Sequence, residues 1–215
     1  MDEPKVFDLP DPPPPGAGGA ELLRPANDAE RRVLISSASI AGTLAVMEAV
    51  AAILTGSLAL MAIAIDSLED AAHYGLAGYL SGKPKRLFYA ALALLAVAAA
   101  AGYLWIGWTA FTAFTGKAPP NPWIMMAVAA VSLVVNLITV WRLRALRHEQ
   151  GEFAFAWAET RWDFVADAGV IVAAMAVSDW VARWPDTIAG LTIAAVNLYG
   201  IIRTGIAAYR TLRPE

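Results

Sequence analysis

Two short runs of the chain carry carboxylates at a spacing suited to holding a cation. The first, SLALMAIAIDSLEDAAHYGL, contains Asp66, Glu69, Asp70 and His73. The second, FAWAETRWDFVADAGVIV, contains Glu159, Arg161, Asp163 and Asp167. Each run includes the pattern Asp-x-x-x-Asp. On a helix, residues i and i+4 share one face and stand one turn apart. Asp66 and Asp70 therefore point the same way, and so do Asp163 and Asp167. Two ionised carboxylates one turn apart repel, and a cation between them removes the repulsion. Oxygen donors of this kind suit divalent metals.

The surroundings of these acids make them expensive. Hydrophobic residues form 58% of the 215-residue chain, charged residues only 16%, and the mean hydropathy is +0.53. Soluble domains carry about 25% charge. Between Arg86 and Lys117 there is no charged residue and no histidine. A stretch of that length spans a bilayer core, which needs about 20 apolar residues. The composition describes a polytopic membrane protein and excludes a water-soluble enzyme. A carboxylate at mid-membrane costs about 2.5–3.5 kcal/mol on insertion scales, so it persists with a partner or a function. The net charge of −3 and the lack of any basic run exclude nucleic acid as a partner. With no cysteine, disulfides, zinc fingers and thiol chemistry are excluded.

Six apolar segments must position the acids, over roughly 33–55, 57–81, 87–115, 121–143, 153–178 and 185–209. Gly and Pro in TGS (55–57), SGKPKR (81–86) and GKAPPNP (116–122) stop helices. Such short connectors make neighbouring helices antiparallel. Thirteen Lys/Arg residues fall on the side of the termini and only Lys117 and Arg183 on the other. Arg161, the sixteenth, lies within the fifth span. Positive charge marks the cytoplasmic side, so both termini are expected there. Trp123, Trp141, Trp180 and Trp184 fall at the expected interfaces. The fold class read here is an all-α membrane protein with six transmembrane helices. Residues 1–30 hold seven of the thirteen prolines and no apolar run, and read as a disordered acidic tail rather than a signal peptide. Residues 31–213 form the membrane domain, and no C-terminal soluble domain is expected. The expected location is the cell membrane (plasma or inner), in lipid on all sides.

Depth decides whether the two acid pairs can meet. At the helical rise, Asp66 and Asp70 lie roughly 13 and roughly 20 Å from the outer end of span two. Asp167 and Asp163 lie roughly 16 and roughly 22 Å from the outer end of span five. This pairs Asp66 with Asp167 and Asp70 with Asp163, four carboxylates around one point. Interhelical hydrogen bonds or an ion pair with Arg161 are the bland alternatives. His73 shares the Asp66 face nearer the cytoplasm, as an accessory ligand, a proton relay or a structural hydrogen bond. Glu69 lies at the edge of that face as a second accessory candidate. Glu48 and Asn136 are lone polar residues in spans one and four that either line a pathway or bond between helices.

With these residues in place, the sequence resembles the cation diffusion facilitator family. GSLALMAIAIDSLEDAAHYGL is similar to that family's second helix, ETRWDFVADAGVIVA to its fifth and WPDTIAGLTIAAVNLYGIIRTGIAAYRTL to its sixth, across residues 33 to 212. The resemblance implies a metal-efflux antiporter working by alternating access, a homodimer, and metal ligation by Asp66, Asp70, Asp163 and Asp167. It implies a short form, since family members usually continue into a cytoplasmic metal-binding domain. It implies zinc or cadmium as first-choice cargo. The Asp/Asp pair in span five, where the family usually has His and Asp, makes the donors harder and brings in manganese, iron and cobalt.

Two other classes compete. Alcohol phosphatidyltransferases also use helix-borne aspartates and a divalent ion, but they need a D-G-x-x-A-R run that this chain lacks. A cation channel needs a continuous polar lining, whereas polarity here is concentrated at one depth, as in a carrier. No enzymatic activity and no resident cofactor are expected, only the transported cation and protons.

Overall fold

The computed structural model describes residues 28–80, 82–113, 118–143 and 150–212. The side chains of residues 85, 113, 143, 150–161, 207 and 211 fall outside that description. So do most of the expected tail and the arginines at 144 and 147. The described residues form six α-helices: α1 (Asp28–Thr55), α2 (Leu58–Tyr79), α3 (Lys85–Ala113), α4 (Pro122–Leu143), α5 (Gln150–Trp180) and α6 (Trp184–Leu212). These are the six expected segments. The helix begins at Asp28, two residues before the expected end of the tail. Asp28 and Glu30 in its first turn favour this start, because carboxylates complement the positive end of the helix dipole.

Local chemistry sets the breaks. Gly56 ends α1 with φ +70°, a left-handed backbone that glycine adopts without strain. Ser57 then caps α2, its Oγ accepting from the Leu60 N–H at 3.1 Å. Gly82, at φ +79°, and Pro84 separate α2 from α3. Asn121 caps α4, its Oδ1 accepting from Trp123 N at 3.0 Å and Ile124 N at 3.3 Å, with Pro122 at the first helical position.

Four of these helices (α1, α3, α4 and α6) are long and apolar enough to cross a membrane. In α2 every membrane-length window contains Asp66, Glu69 and Asp70, and α5 carries Asp163 and Asp167. The 22 residues of α2 still measure roughly 33 Å, enough for the hydrocarbon core. Helix α2 packs against α1, α3, α5 and α6. Outward faces carry large apolar side chains such as Leu94, Val97, Trp108 and Phe111 of α3 and Ile53 and Leu54 of α1. In water such a surface would aggregate; in lipid it is the solvated face.

The interior is built mainly from small residues, including Ala51, Ala52, Ala59, Ala62, Ala96, Ala129 and Ala174 around Leu60, Ile63 and Ile106. Lipid is as apolar as leucine, so close backbone approach rather than hydrophobic exclusion drives helices together. Gly190 shows how close. A Cβ there would stand 2.7 Å from the Leu58 carbonyl carbon, which pins α6 to the start of α2. At the arginine-rich end, Arg31 Nε donates to the Gly78 carbonyl at 2.9 Å, tying α1 to α2. Arg142 Nη2 donates to Ser36 Oγ at 2.6 Å, tying α4 to α1.

Candidate metal centre

The acids of α2 and α5 meet. The Asp66 carboxyl faces the Asp163 carboxyl within hydrogen-bond reach across the α2–α5 contact. Asp163 is buried and Asp167, one turn further along α5, is 1% exposed. Asp167 Oδ2 accepts from Asn136 Nδ2 of α4 at 3.1 Å, and Ser132 of α4 lies beside its carboxyl. Asp66 lies near enough to act on Asp167 electrostatically. Asp70 is half-buried on the same face of α2 as Asp66, and His73 is buried nearer the arginine-rich end.

The tiers are offset from the depth count. Asp66 pairs with Asp163 rather than with Asp167. Asp66 is eight residues from Leu58, whereas Asp163 is seventeen from Trp180. The nine-residue difference is roughly 13 Å of helix. Depth counting treats the outer helix ends as level. In the structure the start of α2 is held against Asp186 and Gly190 of α6, by contacts that a depth count does not include.

Glu69 reaches α3. Its Oε2 accepts from Tyr103 Oη of α3 at 3.2 Å. The side chains of Glu159 and Arg161 lie outside the described residues. Among the described residues, no three His, Asp or Glu side chains converge tightly enough to hold a metal ion. The carboxylates are gathered at one region of the membrane interior without forming a closed cage.

Three further residues belong to this region. Glu48 of α1 is 0% exposed, and its Oε1 accepts from Ser132 Oγ. Ser67 of α2 lies beside the same carboxyl. Ser132 thus stands between Glu48 and Asp167, linking α1, α4 and α5. A lone glutamate in the apolar 33–55 segment was the signal for Glu48. Nothing in the sequence marks Ser132 or Ser67, because a serine in a membrane helix ordinarily bonds its own backbone.

Asp186, at the start of α6, is also fully buried but serves a different end of the molecule. Its Oδ1 accepts from Ser57 Oγ at 2.5 Å and Ala59 N at 3.2 Å, and its Oδ2 from Leu58 N at 3.0 Å. It caps α2 from another helix. Arg183 reinforces the joint by donating to the Gly56 carbonyl and to the Ala118 carbonyl, the latter at 2.9 Å.

Residues 34–212 match the cation efflux transmembrane domain. No curated protein sequence matches the chain.

Proposed function

Because the chain belongs to the cation diffusion facilitator family and is a multi-pass cation efflux transporter rather than an enzyme, we propose that Asp66, Asp70, Asp163 and Asp167 bind a divalent metal cation within the membrane and exchange it for protons. The observation that carries this reading is the Asp66–Asp163 encounter between two membrane helices, with Asp167 alongside. Facing carboxyls hold together by sharing a proton or a cation. Such a pair is the donor set that metal and proton would occupy in turn. His73, on the arginine-rich side of the acids, is the proposed relay for protons, and Glu69 the accessory carboxylate.

Alternating access requires the acids to open to one side at a time. Carboxylates must be deprotonated to bind metal, so metal and protons compete for the same oxygens. Cytoplasmic metal displaces protons from the inward-open site. Protons arriving from outside then fill the outward-open site and release the metal. Zinc or cadmium is the first-choice cargo on family grounds, and the all-oxygen donors also accept manganese, iron or cobalt. The homodimer is carried over from the family in the same way.

The test is metal uptake into sealed inverted vesicles, with a panel of divalent cations, an imposed pH gradient and a pH-sensitive dye. Metal entry coupled to proton exit is the expected result. Metal movement without proton flux at any gradient would sink the exchange mechanism and favour a uniporter or channel.

A further inference from the structure

The carboxylate that the α2–α5 pairs do not use is Glu48. It sits in α1, 0% exposed, at the level where Ser132 and Ser67 reach it from α4 and α2. The Oε1 atom is satisfied by Ser132. The Oε2 atom is buried and has no hydrogen-bond partner. Asp66 and Asp167 are both near enough to act on this carboxyl electrostatically.

Neither protonation state of Glu48 explains that arrangement. Ionised, it is a buried charge with two acids as its charged neighbours, the reverse of a salt bridge. Neutral, it carries a hydroxyl donor or carbonyl acceptor with nothing to bond. Buried polar groups are almost always satisfied, and an exception calls for an explanation. A cation shared with the neighbouring aspartates satisfies the bare oxygen and the charge together. Ser132 supplies the second half of the argument. Its hydroxyl donates to Glu48 and stands beside the Asp167 carboxyl, so it fixes the orientation of Glu48 at the edge of the aspartate region. Carboxylates that ligate metals are commonly held in this way by outer hydrogen bonds.

We propose that Glu48 is a cation ligand, its bare Oε2 drawn together with Asp66 and Asp167 when the ion enters the open arrangement described above, so that the binding region extends from α2 and α5 onto α1. This rests on the aspartate site proposed above. It gives α1, tied to α2 at its arginine-rich end by Arg31, a direct part in holding the cargo.

The experiment is a Co2+ titration of the purified full-length protein in lipid nanodiscs, read by the visible absorption of bound Co2+, with metal uptake into inverted vesicles in parallel. Glu48→Gln keeps the size of the side chain and an acceptor for Ser132 but removes the charge. It is expected to lower Co2+ affinity by roughly tenfold or more and to alter the Co2+ spectrum. Glu48→Asp keeps the charge but retracts the oxygens. It is expected to bind Co2+ with an altered spectrum and to shift the preference between small and large divalent ions. An unchanged spectrum, with affinity within about twofold of wild type in Glu48→Gln, overturns the proposal. If Glu48→Gln does not yield folded protein, Glu48→Asp decides by the same spectral criterion. Asp66→Ala and Asp163→Ala separate the two readings. Loss of Co2+ binding in these with no effect at Glu48 rejects the Glu48 proposal alone. Wild-type Co2+ binding in the aspartate variants rejects the underlying site.

Discussion

Two sets of buried carboxylates lie within the same bundle, and they are treated in opposite ways. At the outer joint, Asp186 receives three hydrogen bonds from Ser57, Leu58 and Ala59, and Arg183 braces the same turn. Both its oxygens are used. In the membrane interior, Asp66 meets Asp163, and Glu48 keeps one oxygen with no partner. Burial alone does not separate the two sets, since Asp186, Glu48 and Asp167 are all essentially inaccessible. What separates them is satisfaction. A carboxylate whose acceptors are filled by fixed donors is finished as structure. One that meets other carboxylates is finished only by something that enters, and so marks where a cation belongs.

The difference is broken most severely by removing one member of the interior pair. Asp66→Ala or Asp163→Ala is expected to abolish metal uptake while leaving the protein inserted and as heat-stable as wild type, or more so. Each change deletes a ligand and relieves the encounter of two acids, so function and stability move in opposite directions, as at other strained sites. Wild-type uptake in either variant, measured at matched membrane abundance, would show that the pair is not the binding site.

The same operation at the outer joint should do the reverse. Asp186→Ala strips the cap from α2 and leaves the Leu58 and Ala59 N–H groups buried without acceptors, a loss of about 3 kcal/mol. Thermal unfolding in detergent should show a marked fall in Tm. Co2+ affinity of the fraction that remains folded should stay near wild type. A large affinity change at unchanged Tm would mean that Asp186 acts on the cargo and that the comparison fails.

Acid should act on the interior set first. Lowering the pH on the cytoplasmic side protonates carboxylates that must be bare to take metal, so apparent KM should rise as pH falls, by roughly tenfold per unit where one proton is displaced per ion. Uptake kinetics across a pH series would check the sign. A KM that falls on acidification would contradict carboxylate ligation. A smaller and more selective change follows from Asp163→His, which places a softer imidazole beside Asp66. The ratio of zinc to manganese transport in a competition assay should increase. An unchanged ratio would mean that α5 does not set the choice of metal.

The sequence carried the helices and the acids further than it carried their partners. All six helices were legible because apolar runs end at Gly, Pro and capping residues, which act locally. The i, i+4 spacing of Asp66–Asp70 and Asp163–Asp167 was legible for the same reason. The pairing between helices was not. It depends on where α2 is held against Asp186 and Gly190, through contacts some 130 positions apart in the chain. Asp186 stands in the first turn of α6, where an acid is ordinary. Its bonds go to another helix, so no pattern around residue 186 discloses them. Glu48 was visible as a lone charge, but its bare oxygen is a property of three-dimensional placement.

The finest test of the comparison removes one donor from the satisfied set. Ser57→Ala deletes the hydroxyl that donates to Asp186 Oδ1 and also accepts from Leu60 N. The Leu58 and Ala59 N–H groups continue to hold Asp186, so the joint is weakened rather than opened. Loss of such a helix cap costs about 1 kcal/mol. Tm should fall slightly, by less than in Asp186→Ala, while KM for metal and the Co2+ spectrum stay as in wild type. The reasoning is that the joint fixes where α2 begins and contributes nothing to the oxygens around the ion. A spectral change in Ser57→Ala, with α2 still folded, would show that the height of α2 at its outer end tunes the interior acids. The two sets would then be one coupled device rather than a scaffold and a site.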